Sequence, residues 1–175
     1  DMKNVKRNVP LDKSGNIIAV YYAFGGIDDG TSPEEGINSE KVITDLRKLR
    51  EDETIKAVVL RVNSPGGSAY GSEQIWHEVV LLKAKKPVIV SMGDYAASGG
   101  YYISCAADTI VADPTTLTGS IGIFGMFPNM QGLLTDKIGL HFDMVKTNRF
   151  SDMGDMTRPF NADEREAMQN YINNG

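Results

Sequence analysis

Ala96-Ala97-Ser98-Gly99-Gly100 places a serine among small residues, directly after an apolar run that begins Pro87-Val88-Ile89-Val90. The run reads as a buried strand ending at Ser91-Met92-Gly93, followed by a turn and a helix that opens at Ser98. A hydroxyl at that junction meets the unpaired N–H groups and the positive dipole end of the helix, which favour a developing negative charge. Gly99 and Gly100 carry no Cβ, so a substrate can approach the backbone closely. This is an arrangement suited to an activated nucleophile beside an oxyanion hole. The plainer reading is that Ser98 only caps its helix.

A second loop, Asn63-Ser64-Pro65-Gly66-Gly67, lies about 33 residues upstream at the end of another apolar run, Ile55 to Val62. In a parallel sheet both loops fall on the same edge, where sites form. Pro65 fixes the turn, and Gly66 and Gly67 permit backbone angles that other residues resist. The N–H of Gly67 can then face the cleft, with the N–H of Gly99 as second donor to one oxygen, the requirement of acyl transfer. On its own, Asn-Ser-Pro-Gly-Gly is a tight turn.

A serine hydroxyl needs a base. A lysine serves only if burial lowers its pKa toward neutrality. Lys83, Lys85 and Lys86 crowd one polar helix end, where water keeps them charged. Lys146 is the nearest internal substitute, and a solvated strand-end lysine is its plainer reading. His77 and His141 would serve a Ser-His-Asp triad, though both read more simply as surface or partly packed residues. Asp94 and Asp108 are the acids flanking the site in sequence that a crotonase-type acyl-CoA enzyme would need, but turn and cap roles suit them better. No His, Cys and acid cluster has metal-ligand spacing, and no metal or cofactor is expected.

The surrounding elements follow from periodicity. Residues 1–15 are polar and carry Lys3, Lys6, Arg7 and Lys13, an arm or linker. Asn16–Tyr22 is a β-branched and aromatic run, expected as a core strand. Residues 25–37 form a long loop. Asn38 or Ser39 caps a helix bearing Val42, Ile43, Leu46 and Leu49. A further helix spans 70–84 with Ile75, Val79 and Leu82 inward. Thr109–Ala112 is a short strand, and 114–122 is turn-rich. Met130–Ile138 reads as a helix closed by Gly139, and His141–Lys146 as an alternating strand. Residues 147–160 are irregular. Asn161 with Glu164 makes a capping box for a helix over 162–173. Strand and helix alternate, which means an α/β fold with a largely parallel sheet, one domain over 16–175.

The chain has 175 residues and a net charge of -5, enough for a real core and no reason to propose nucleic acid as a partner. Its single cysteine, Cys105, excludes an internal disulfide; it falls on the apolar part of the Ser98 helix and is expected to be buried and inert. No transmembrane run or signal peptide stands in the sequence. The chain begins with Asp1 and its last helix pattern runs into Gly175, so both ends read as cut from a longer protein.

Leu60-Arg61-Val62-Asn63-Ser64-Pro65-Gly66-Gly67, Ala96-Ala97-Ser98-Gly99-Gly100-Tyr101-Tyr102-Ile103-Ser104 and Leu117-Thr118-Gly119-Ser120-Ile121-Gly122 together closely resemble the signal peptide peptidase A (SppA) family. That resemblance, over about 16–175, implies a ClpP/crotonase-like spiral of ββα units. It implies a membrane-associated bacterial serine endopeptidase, on the periplasmic side of the inner membrane, that cleaves signal peptide remnants with a Ser/Lys dyad. By matched position Ser98 is the nucleophile, Gly67 and Gly99 supply the oxyanion hole, and Ser120 matches a serine that hydrogen-bonds the lysine. Gly66, Gly100 and Tyr101 stand where substrate would bind; Tyr101, Tyr102, Met126, Phe127 and Met130 suit an apolar peptide groove or, equally, core or subunit packing. The lysine itself is missing: Ser151 holds the matching position. Long members of the family consist of two related halves, serine in the C-terminal one and lysine in the N-terminal one. This chain therefore resembles a C-terminal half whose N-terminal half supplies the lysine. The related ClpP histidine would fall at Ile123. Family members assemble into rings or domes, so a homo-oligomer is expected; the remaining reading is a non-catalytic, oligomer-building domain.

Overall fold

The computed structural model describes residues 15–30 and 36–174. The expected N-terminal arm lies, apart from Gly15, outside the described residues. Two compact units divide the chain, one running to Ile121 and the other from Gly122.

The first unit is built on a parallel sheet. β1 (Ile17–Phe24) pairs with β4 (Ile55–Ser64), β4 with β5 (Val88–Ala97), and β5 with both β6 (Thr109–Val111) and β7 (Leu117–Gly119). Every one of these pairings is parallel, as are two short strands, β2 (Ile27–Asp28) and β3 (Ile37–Asn38), within the expected loop. Period-two alternation puts Val58, Leu60 and Val62 of β4 and Val88, Val90 and Met92 of β5 on one buried face. Helices α1 (Ser39–Glu51), α2 (Ala69–Lys83) and α3 (Gly99–Ser104) cover that face with Val42, Leu46, Ile75, Val79, Leu82 and Ile103. Each such burial contributes roughly 1.5–3 kcal/mol. Asn38 is the α1 cap, accepting the Lys41 N–H at 2.9 Å. Glu78 of α2, 2% exposed, ties the two long helices by receiving Arg50 Nε at 2.8 Å.

Four expectations change here. Among the described residues β1 is an edge strand, with Ala23 its buried residue, because it pairs there with β4 alone. β5 runs to Ala97 and does not end at Gly93. The turn-rich segment contains β7. Cys105 is exposed, since the short α3 turns it outward at its C-terminal end.

The second unit has less regular structure. The helix expected over 130–138 forms over Gly132–Lys137 as a wider π-helix, in which the Ile138 N–H reaches the Leu133 carbonyl at 3.1 Å. Residues 141–146 form no strand: they alternate, but no strand among the described residues pairs with them. The capping box forms as the spacing requires. Glu164 N–H donates to Asn161 Oδ1 at 3.0 Å, and Asn161 N–H to Glu164 Oε2 at 2.9 Å, opening α4 (Ala162–Asn174).

Candidate functional site

Both sequence loops arrive at the carboxyl ends of adjacent strands, β4 and β5, as their positions after apolar runs demand. Gly66 has φ +97° and Gly67 φ +154°, angles that a side chain resists. A Cβ on Gly66 would stand 2.7 Å from Gly99 N and 2.8 Å from Ser98 Cβ, so only glycine lets the two loops close on each other. Gly67 bridges Ile27 of β2 in parallel fashion: Ile27 N–H donates to the Gly66 carbonyl at 2.9 Å, and Ser68 N–H to the Ile27 carbonyl at 2.8 Å. In a parallel bridge the residue between those two bonds turns its own N–H away from the partner strand. Gly67 itself is exposed.

Ser98 sits at φ +51°, ψ -122°. It does not cap its helix through its side chain, which removes the plainer reading. Its hydroxyl has no hydrogen-bond partner among the described residues, and the residue is half-buried. Its backbone is fixed on both sides: the Ser98 N–H donates to the Gly119 carbonyl at 2.8 Å and its carbonyl accepts the Tyr102 N–H at 2.9 Å. Among the described residues neither Gly67 nor Gly99 has an acceptor for its N–H.

Ser120 is brought alongside. β7 pairs Ala97 with Gly119, so Ser98 and Ser120 each follow one member of that pair. Ser120 is exposed and also has φ +51°; these two serines are the non-glycine residues with positive φ among those described. Such conformations cost on the order of 1–3 kcal/mol each and concentrate at functional sites. The sequence carried no sign of this strain.

The other glycines make room for protein. A Cβ on Gly100 would lie 2.5 Å from the Ser64 carbonyl oxygen, and one on Gly99 would strike Ser72 Oγ. Ser64 Oγ in turn accepts the Gly66 N–H at 3.1 Å. Tyr101 is half-buried and packs against the core. Glu73, which the sequence reading passed over as site-related, accepts the Tyr102 hydroxyl; that bond holds the phenol's proton and pushes it up to about 12.

Several of the alternative bases have partners of their own. Asp108 exchanges bonds with Val88 at the opposite end of β5 (2.8 and 2.9 Å), and the Val88 N–H lowers its pKa. Lys83 pairs with Asp108 at 3.5 Å, and Lys86 Nζ donates to the Leu49 carbonyl at 2.6 Å. His77 lines a groove of about 320 Å³ with Ile43 and Arg47 on the helical side of the sheet. Within the second unit, Lys146 pairs with Asp152 at 2.7 Å, and Ser151 and His141 are exposed.

Comparison with known proteins bears on the family and the fold. The profile of Peptidase family S49 matches residues 80–175, and that of Clp protease residues 31–115. With the all-parallel sheet, the latter gives the chain a ClpP-like fold. Protease 4 of Haemophilus influenzae is 52% identical over 146 residues, covering 83% of this chain and 23% of that protein. Protease 4 of Salmonella typhi is 45% identical over 167 residues, covering 95% and 26%. The chain thus spans about a quarter of the length of these relatives. A solved membrane-bound stomatin-specific protease aligns with TM-score 0.47 at 24% identity, over 62% of this chain and 49% of that one. No helix of the described residues is long and apolar enough to cross a membrane.

Proposed function

The chain belongs to Peptidase family S49, and from that premise we propose that it carries the nucleophile of an SppA-type serine endopeptidase, with Ser98 attacking the scissile carbonyl. One observation carries the reading: a strained serine that does not cap its own helix stands against the Gly66 turn, and the N–H groups of Gly67 and Gly99 have no acceptor among the described residues.

The chemistry runs as follows. Ser98 Oγ bonds to the carbonyl carbon as its proton passes to a neutral lysine amine. The carbonyl oxygen takes the negative charge and is held by the N–H groups of Gly67 and Gly99. The lysine, now protonated, returns the proton to the amide nitrogen as the C–N bond breaks, and water then hydrolyses the acyl-enzyme. Ser120, level with Ser98 across the β5–β7 pair, accepts a bond from the lysine and orients it. Lys83, Lys86 and Lys146 already have partners, which supports delivery of the lysine by an N-terminal half of the full-length protein. Gly66, Gly100 and Tyr101 then border the bound peptide, a signal peptide remnant. The full-length enzyme works as an oligomer at the periplasmic side of the inner membrane.

The test is hydrolysis of an apolar peptide by the full-length protein and by its Ser98→Ala variant. Activity is expected to fall by on the order of 10³-fold or more. A variant that cleaves at the native rate ends the assignment.

A further inference from the structure

β4 and β5 keep one register from Val58↔Val88 to Val62↔Met92, then resume at Ser64↔Ala96. Two steps along β4 answer four along β5, so β5 carries two extra residues just before the site. Had the first register continued, Ser64 would face Asp94, and Ala96 would be level with Gly66. The shift advances the strand so that Ser98 arrives there instead. A shift of two, unlike a shift of one, also preserves which face each side chain occupies. Met92 and Ala96 are both buried.

Side chains from both neighbouring strands hold this excess. Asn63 Oδ1 accepts the Tyr95 N–H at 2.9 Å, a bond the ladder itself would otherwise make. A Cβ on Gly93 would stand 3.0 Å from the Asn63 side chain, so glycine lets that side chain lie flat on the bulge. Arg61 Nη1 donates to the Met92 carbonyl at 2.6 Å and to Ser91 Oγ at 2.8 Å. From the other side, Thr116 Oγ1 donates to the Gly93 carbonyl and Thr118 Oγ1 to the Ala96 carbonyl, both at 2.8 Å.

We infer that Asn63 is a positioning residue for the reaction: its carboxamide oxygen holds the two-residue excess in β5 that sets Ser98, in place of Ala96, against the Pro65-Gly66-Gly67 turn. The inference rests on the reading of Ser98 as nucleophile. Asn63 acts through the backbone and touches no reacting atom.

The experiment measures the rate at which a fluorophosphonate probe modifies Ser98 in the full-length protein, located by mass spectrometry, with kcat, KM and Tm alongside. Asn63→Leu is expected to slow labelling and lower kcat about tenfold, the scale of one lost hydrogen bond at the barrier, with little change in KM. Asn63→Asp keeps an acceptor for Tyr95 N–H and restores the rate. A purely structural role would lower Tm and leave the rate per folded molecule unchanged. Native labelling of Asn63→Leu overturns the inference, as does an Asn63→Asp variant no better than leucine. If Asn63→Leu does not fold, Thr116→Val decides: it removes a second hold on the bulge without changing shape, and slower labelling supports the inference while native labelling overturns it. A wild-type enzyme that cleaves peptide but is never labelled at Ser98 overturns the nucleophile reading itself, a result distinct from the others.

Discussion

The unit that ends at Ile121 and the unit that begins at Gly122 bury different chemistry. In the first, β4, β5 and three helices enclose a continuous set of Val, Leu, Ile and Met side chains. In the second, Asp152 and Glu164 are the buried residues among those described, while Phe124, Met126 and Val145 are 95%, 87% and 96% exposed. Arg158 joins the two carboxylates: Nε donates to Asp152 Oδ2 at 2.7 Å, and Nη1 and Nη2 to the Glu164 oxygens at 2.7 and 2.5 Å. Lys146 adds a further bond to Asp152. An apolar core tolerates gradual loss, because each side chain contributes a share. A buried charge cluster depends on every member, because removing one partner strands an ion away from water.

The sharpest way to break this contrast is in the first unit. Leu60 is 1% exposed at the centre of β4. Leu60→Ala is expected to cost about 2–5 kcal/mol, from lost transfer energy plus the cavity left behind. Trp76, the single tryptophan, lies in α2 of this unit, so its fluorescence during denaturation measures the loss. The exchange rates of amides in 147–174 should remain as they were. A coupled change in both would show that the contrast is false.

Arg158→Met tests the other side. It removes the shared partner of two buried carboxylates, and fast amide exchange throughout 147–174 is the expected result, with an unmoved Trp76 transition. Protection that survives the substitution would mean that the charges do not hold the segment.

Acid distinguishes the units without mutation. Arg158, with help from the Asn161 N–H, holds Glu164 down to about 2, and Arg158 with Lys146 holds Asp152 well below the usual carboxylate range. A carboxylate whose pKa is depressed by folding stabilises fully above its unfolded value of about 4.3, and the contribution disappears as pH falls through the folded value. Protection over 147–174 should therefore weaken progressively between about pH 4 and pH 2. The Trp76 signal should not follow the same curve, since the apolar core beneath it does not titrate.

The same contrast explains what was legible beforehand. Apolar alternation located β4, the start of β5 and the helices of the first unit, because one buried face imposes a local period. The two loops bearing Gly67 and Ser98 were legible as strand-end loops for the same reason, and they do follow the adjacent strands β4 and β5. The extension of β5 was not legible. Gly93-Asp94 has turn chemistry, and what keeps it in the strand is Asn63, Thr116 and Thr118, remote in sequence. The positive φ of Ser98 and Ser120 was likewise not legible; each serine follows one member of the Ala97–Gly119 pair, a contact remote in sequence. In the second unit alternation misled at 141–146, whereas Asn161 and Glu164, whose interaction spans three residues, were read correctly.

The two Asn caps give the finest comparison. Asn38 and Asn161 each accept an N–H three residues on, at 2.9 and 3.0 Å. Cap removal by alanine costs typically about 1 kcal/mol in either place. For Asn38→Ala that cost should register as a small shift in the Trp76 midpoint, because Val42 and Leu46 keep α1 docked on the sheet. Asn161→Ala acts on a helix whose buried residue is Glu164, the partner of both Asn161 and Arg158. Losing the cap frees that carboxylate to leave Arg158, so exchange should quicken both in α4 and around Asp152. If faster exchange stops at the first turn of α4, Arg158 and Lys146 hold the buried charges without the capping box, which is then only local.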